Sequence, residues 1–578
     1  MSNTYFIEKT TGTPADTLEA FGLADFLYKL TLAQGNGRLT IEDMGLAYRV
    51  NIDKPITPAW VQTVPYFALI DGLNTKTKKT TVPKPIDYLA EQQGNNLYFE
   101  GKKKKLTDDE LAEQGIFPPK PAWPTWAIIN QMSATAAYNG LVELWDAHKE
   151  CFPELVALIL TAYGSFPNDW EAASANWKTL TKKYGINSSE KVAQLQVVNP
   201  GMGKGGNRAK ANGLGIGGLK GFWLIELLKF AGLYKCAIPR VVTGSKDRKT
   251  YILRPRQLLW GTHEAVFPNF QKQLYAQTAV KMDILTLLSY CITFIEQWQA
   301  GQGSQRKFAR NANPGNHVAA IETIFYKHLG SAHATMNLSS LALPEWLGQQ
   351  VETKVQAQQF LDLLAEHRRV VFRLDEKKGD QYNLLRQYRQ FISGRDLTLF
   401  YQFVHGYSQH VMSELASKNR PPLFTLGNLE VLILAHNQSL APILANEGFR
   451  NIAEAIRRST VIPQGQKARG RDALYEIRYG LGDKLIRHSQ YADEFVQELS
   501  RFMHAYNREN GRKLETRKQQ FRRNITIEDI DQIVQLIDQF DANTVSSLLV
   551  AYGYARDPKI GQQADEANDS DNPVSESN

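Results

Sequence analysis

The sequence predicts an α+β protein: a mixed N-terminal region with helices and short strands, followed by a C-terminal all-α helical bundle. Three observations lead there. Strand-like runs bounded by turn residues lie in the first part of the chain. From about Gln356 onward, apolar residues recur at helical spacing nearly to the end. The chain has 578 residues, more than one hydrophobic core normally serves. The expected division is 1–370 for the mixed body, 371–560 for the bundle and 561–578 for a disordered acidic tail.

Along the chain, "GNGRLTIEDMGLAYRVNID" reads as short strands and turns, and "TPAWVQTVPYFALIDG" alternates weakly. Thr107, with Glu110 three residues on, is a capping-box start for a short helix. Pro118 to Trp126, "PPKPAWPTW", is a connector that its prolines keep from being helical throughout. Tyr138 to Lys149 and Glu154 to Tyr163 carry helical spacing, and a helix is expected from Leu219 to about Tyr234. Next, "AIPRVVTG" and "TYILRP" form a hairpin across "SKDRK". In the bundle, Phe495, Leu499, Phe502, Met503 and Tyr506 share one helical face. Ile530, Ile533, Val534 and Ile537 share another, after a Thr526 cap with Glu528 and Asp529 in the first turn.

Composition bounds the function. Hydrophobic residues make up 43% and aromatics 10%, enough for real cores, and the formal net charge is +8. A modest positive balance points to a polyanion only where cations cluster. Cys151, Cys236 and Cys291 are far apart in apolar runs, so neither a disulfide framework nor a zinc knuckle is expected, and a reducing, cytoplasmic setting fits. Met1 to Thr10 has no apolar stretch of the signal-peptide kind. Ile284 to Ile295, bracketed by Asp283 and Glu296, is too short to span a bilayer and reads as a buried core helix. No membrane partner is expected.

The basic clusters are the candidate sites. Lys102, Lys103 and Lys104 sit in a lysine run beside Tyr98 and Phe99. Asn199 to Gly221, "NPGMGKGGNRAKANGLGIGGLKG", is a long glycine-rich segment. Its glycines expose backbone N–H groups without a Cβ in the way. Lys204, Arg208 and Lys210 can neutralise phosphates, and Asn207 can hydrogen-bond a base edge. In "GSQRKFARNANPGNH", Arg306, Lys307 and Arg310 flank Phe308, so charge and a stacking face lie together. In the bundle, Lys467, Arg469, Arg471, Arg478, Arg517, Lys518, Arg522 and Arg523 are placed to form one basic face.

Two motif matches fail on context. Gly213-Leu-Gly215-Ile-Gly217-Gly218 fits G-x-G-x-x-G, but a loop precedes it, not a strand, and no acidic residue follows at the right distance. Gly201-Met202-Gly203-Lys204-Gly205 lacks the first glycine and the hydroxyl residue of a nucleotide-binding P-loop. No His-Asp doublet or H-E-x-x-H is present. Catalytic residues, metal ligands and cofactors are therefore expected to be none. A metal-dependent nuclease with a dispersed carboxylate site, or a structural subunit that touches RNA alone, are the competing readings.

The glycine-rich segment continuing into "FWLIELLKFAGLY", then "PRVV", "DRKTYILRP", "ITIEDIDQIVQLIDQF" and "LLVAYGYARDP", resembles in pattern and order the large subunit of type I CRISPR interference complexes (Cascade), nearest to subtypes I-B and I-A. The resemblance covers most of the chain. It implies a non-catalytic ribonucleoprotein subunit in antiviral defence, binding the guide RNA (crRNA) at its 5′ end. It further implies recognition of a protospacer-adjacent motif in target double-stranded DNA and help in forming the R-loop. The implied partners are backbone subunits, a small subunit, and a recruited nuclease-helicase or transposition proteins. The bundle would resemble the small subunit, and Met412 would be the internal start from which a separate copy is made.

Overall fold

The computed structural model describes residues 2–35, 37–202, 219–274, 276–301, 312–330, 332–347, 351–394, 396–471, 473–518 and 522–557. The fold is α+β. It divides into two compact units. The first runs to Met282 and from Ser289 to Leu343; the second takes Asp283–Leu288 and the chain from Pro344. The boundary expected at 370 thus moves to 343/344. Val370 is buried inside a helix that a Thr353–Gln356 capping box starts well upstream.

In the first unit, β1 (Thr4–Glu8) and the long helix α1 (Pro14–Leu32) precede β2 (Leu39–Asp43) and β3 (Ala47–Ile52). Short elements follow: α2 (Pro58–Thr63), β4 (Leu73–Asn74) and β5 (Ile86–Asp87). Then come α3 (Tyr88–Lys103), α4 (Asp108–Glu113), α5 (Trp123–Gln131), α6 (Thr135–Ala147), α7 (Phe152–Tyr163) and α8 (Trp170–Tyr184). Next are β6 (Lys191–Ala193), β7 (Lys220–Phe222), α9 (Trp223–Cys236), β8 (Ala237–Val241), β9 (Arg248–Pro255) and β10 (Gln257–Leu259). The last are α10 (Trp260–Gln273), α11 (Ala279–Gly301), whose residues Asp283–Leu288 belong to the second unit, β11 (Val318–His328) and β12 (His333–Ala342). The longer strands form two antiparallel four-stranded sheets, ordered β1-β3-β2-β10 and β12-β11-β9-β8.

The expected hairpin is β8–β9, with Ala237 opposite Ile252. The expected capping box starts α4, where Thr107 and Glu110 bond reciprocally. The weak alternation after Thr57 conceals a helix: Thr57 accepts from the Trp60 N–H and Pro58 stands at the first position of α2. The helix expected from Leu219 starts at Trp223 instead. Lys220–Phe222 pair with Lys191–Ala193 as β7 against β6, so the backbone is committed to a ladder before it can turn. No helix among the described residues is long and apolar enough to cross a membrane.

Helix α1, which the periodicity does not single out, is the centre of the first unit. Pro14 to Leu27 are all buried. Apolar residues therefore surround the helix instead of forming one stripe. Helix α9 crosses it antiparallel with the backbones in contact. A Cβ at Gly22 would lie 1.9 Å from the Leu228 carbonyl oxygen, and one at Gly232 would lie 1.8 Å from that of Leu18. Thr17 ties α1 to both sheets, bonding Tyr48 of β3 at 2.8 Å and Glu322 of β11 at 2.9 Å.

Polar groups buried at this crossing are paired. Asp25 of α1 meets Lys29 at 3.0 Å and Lys235 of α9 at 2.9 Å. Lys229 of α9 holds Glu226 at 2.9 Å, and Asn199 bridges the two. Glu19 accepts from the Tyr163 hydroxyl at 2.8 Å. Burial pushes the Glu19 carboxyl up to about 7, against a smaller opposing pull from Lys229.

Among its described residues the second unit has helices joined by loops and no strand, apart from an isolated bridge between Thr425 and Arg556. It comprises α12 (Lys354–Arg373), α13 (Gly379–Ile392), α14 (Leu397–Ala416), α15 (Leu426–His436), α16 (Ala441–Ala445) and α17 (Glu447–Arg457). After these come α18 (Val461–Ala468), α19 (Leu481–His488), α20 (Ala492–Arg517), α21 (Ile527–Phe540) and α22 (Ala542–Gly553). An aromatic core of His367, Tyr388, Phe391, Phe400, Phe403 and Phe424 joins α12, α13 and α14. The tail expected from 561 lies outside the described residues.

Two outcomes test this account. Gly22→Ala forces a methyl into the α9 backbone and should lower unfolding stability by about 3 kcal/mol, measured by urea denaturation. Between pH 4.5 and 7 folded Glu19 keeps a proton that the unfolded chain releases, so stability falls as pH rises through that window. Glu19→Gln should match the wild type near pH 4 and exceed it at pH 8 by about 3 kcal/mol.

Candidate nucleic-acid interface

The sequence-predicted cations separate into structural and free groups. The sorting is clearest along α20. Phe495, Leu499, Phe502, Met503 and Tyr506 form its buried face, as their spacing predicts. Glu509, one turn beyond Tyr506 and two beyond Phe502, is the charge hub. Its Oε2 accepts from Arg522 Nη2 at 2.7 Å and Arg478 Nη2 at 3.4 Å, and its Oε1 from the Glu476 N–H at 2.6 Å.

Arg522 is sealed in. Its side chain is 1% exposed. The guanidinium lies between two rings, 3.6 Å from the Tyr475 centroid and 3.9 Å from that of Tyr506. It also bonds Asn510 Oδ1 and the Arg458 carbonyl. A guanidinium stacked on both faces with its edges hydrogen-bonded has nothing left for a phosphate. Arg478 shares Glu509 through its guanidinium, and its backbone N–H donates to the Ser459 carbonyl at 2.8 Å.

Arg523 is half exposed and pairs with Asp529 at 2.8 Å. Burial pushes the Asp529 carboxyl up, but the Thr526 N–H and the Arg523 guanidinium outweigh it and leave the group below the usual carboxylate range. Asp529 is also the reciprocal partner of Thr526 in the capping box of α21. Arg523 therefore supports a helix start while keeping one face in water.

The free cations lie nearby in sequence and on other faces. Lys467, Arg469 and Arg471 are exposed at the end of α18. There Gly470 takes a φ of 73° and the Arg471 N–H closes the turn on the Gln466 carbonyl. None of the three has an ion pair among the described residues. On α20, Arg501, His504, Arg508 and Arg512 are exposed and fall at i, i+3, i+7 and i+11. They make a stripe about 16 Å long. Arg501 meets Glu498 at 3.4 Å; Arg508 and Arg512 have no ion pair among the described residues. Arg501, His504 and Arg508 are not among the sequence-predicted residues, although the periodicity that finds the buried face of α20 would also find them. Arg517 and Lys518 are exposed at the end of the same helix.

In the first unit, Lys102 is engaged, 2.8 Å from Asp108 and over the Tyr98 ring at 5.6 Å. Lys103 and Lys104 are exposed at the end of α3, with no ion pair among the described residues. Lys204, Asn207, Arg208 and Lys210 lie outside the described residues, as do Arg306, Lys307, Phe308 and Arg310. Asn199, just before the first group, is buried against Glu226 and Lys229. Tyr326 donates to the Gln196 carbonyl at 3.0 Å.

Arg522→Met should act on the fold, because it leaves Glu509 short of its closest cation. A loss of about 3–5 kcal/mol in the second unit is expected by chemical denaturation. No family model and no curated protein matches the chain.

Proposed function

We propose that this chain is a non-catalytic, nucleic-acid-binding subunit of a guide-RNA surveillance complex. It would bind crRNA, recognise a short motif in duplex DNA and assist R-loop formation. The observation that carries the nucleic-acid reading is the separation of cations in the second unit. Arg478 and Arg522 are spent on Glu509, whereas Lys467, Arg469, Arg471, Arg508 and Arg512 are exposed without carboxylate partners among the described residues. Unneutralised cations at helical spacing attract a phosphate chain by counterion release. The guide-complex reading rests on the order of sequence segments that resemble the type I large subunit. On that reading the partners are backbone and small subunits together with a recruited nuclease-helicase or transposition proteins. The reading also places the protein in the cytoplasm.

Arg508→Ala with Arg512→Ala should weaken binding to a single-stranded oligonucleotide. It should also reduce the slope of log affinity against log salt by about 1.4, two phosphates at about 0.7 each. Fluorescence anisotropy over a salt series reads it, and an unchanged slope would remove α20 from the interface. Expressed with its neighbouring genes, the tagged chain should copurify with a uniform short RNA; heterogeneous RNA would count against the guide complex.

A further inference from the structure

The described residues of the second unit end at Asp557, at a point held by several bonds. The Arg556 N–H donates to the Phe424 carbonyl at 2.7 Å, and the Arg556 carbonyl accepts from the Leu426 N–H at 3.1 Å. Asp557 pairs with Arg457 of α17 at 3.6 Å; the arginine is buried, whereas the carboxylate is 64% exposed. The Arg457 guanidinium also donates to the Tyr552 carbonyl at 3.3 Å. An acidic residue therefore already rests on an arginine where the remaining chain departs.

That point leads to the exposed cations. The carbonyl of Arg458, next to Arg457, accepts from Arg522 at 3.4 Å, and Arg522 meets Glu509 at 2.7 Å. Arg508, immediately before Glu509, belongs to the exposed stripe that continues at Arg512. Tyr475, shortly past Arg471, stacks on the same Arg522 at 3.6 Å, which brings the chain after α18 back to this hub. The sequence beyond Asp557 carries the opposite charge. Residues 558–578 hold Asp565, Glu566, Asp569, Asp571 and Glu576 against a single cation, Lys559. Ile560 and Val574 are the large apolar side chains of this segment, so charge is its chief means of contact. Asp565 can lie up to about 26 Å from Asp557, farther than the stripe on α20 is long, about 16 Å.

We propose that the acidic segment 558–578 docks on the exposed cations of α18 and α20 and competes there with a phosphate chain. The competition rests on reading those cations as the nucleic-acid interface; the docking itself does not. Clustered carboxylates carry the sign of phosphates, so the segment occupies the cations when no nucleic acid is bound. It yields to a longer polyanion, whose binding releases more counterions. Tethering keeps the segment at an effective concentration of about 1 mM, so individually weak pairs are enough to hold it there. The chain thereby regulates its own affinity for polyanions.

Two measurements on the full chain test this. In the first, Asp565→Asn, Glu566→Gln, Asp569→Asn, Asp571→Asn and Glu576→Gln are combined and single-stranded oligonucleotide binding is followed by fluorescence anisotropy. Affinity at about 50 mM salt should rise about three- to tenfold over the wild type. The gain should vanish near about 0.5 M salt, where charges are screened over a few ångströms. In the second, the wild-type chain is treated with a zero-length carbodiimide, which joins carboxylates to amines in contact, and the products are mapped by mass spectrometry. The five tail carboxylates should couple to Lys467 and Lys518, which are exposed with no ion pair among the described residues, and excess oligonucleotide should abolish the coupling. Absence of that coupling, coupling to first-unit lysines in its place, or unchanged affinity after neutralisation in a chain that binds the oligonucleotide would overturn the proposal. Coupling to Lys467 and Lys518 in a chain that binds no oligonucleotide would keep the docked segment and discard the nucleic-acid interface.

Discussion

The first unit depends on the contact between the backbones of α1 and α9. Gly22 and Gly232 each sit where a methyl group would overlap a carbonyl oxygen of the opposite helix. A helical glycine costs about 1 kcal/mol relative to alanine. Two such costs are tolerated because the close approach multiplies dispersion contacts along both helices. The same approach brings Asp25 within 2.9 Å of Lys235. With a wider separation, buried carboxylates on α1 would lose a cation from α9, and an unpaired buried charge is among the costliest defects a fold can carry. Helix α1 is therefore held by geometry first and by charge pairing second.

In the second unit the organising group is one carboxylate. Glu509 gathers Arg478 and Arg522, and two tyrosines close over the latter. Arg508 immediately precedes the hub, yet it points to solvent. Successive helical residues differ by about 100° in direction, so neighbours in sequence serve opposite purposes. A cluster of arginines in a sequence is thus two populations, one that builds the bundle and one that charges its surface. The charge available to a polyanion is therefore smaller than the number of arginines in the cluster.

Much of the architecture was legible in the sequence. The α20 and α21 faces, the capping boxes at Thr107 and Thr526, and the β8–β9 hairpin all follow from rules that act within a few residues. The long-range features were not legible. Helix α1 has no apolar stripe, because it is buried all round and carries Asp16, Thr17, Glu19 and Asp25 inside. The start of α9 at Trp223 is set by pairing with residues about thirty positions away. Among the candidate binding residues, Lys103, Lys104, Lys467, Arg469 and Arg471 stay exposed and unpaired among the described residues, whereas Lys102, Arg478, Arg522 and Arg523 have carboxylate partners.

The sequence by itself determined the fold class, the helical periodicity from Gln356 and the positions of the basic segments. Spacing and capping are local properties that need no knowledge of what packs where. Tertiary structure decided which cations are spent on carboxylates and where the units divide. Those outcomes depend on residues far apart in the chain coming within hydrogen-bond distance, and one sequence carries no pattern that announces such meetings.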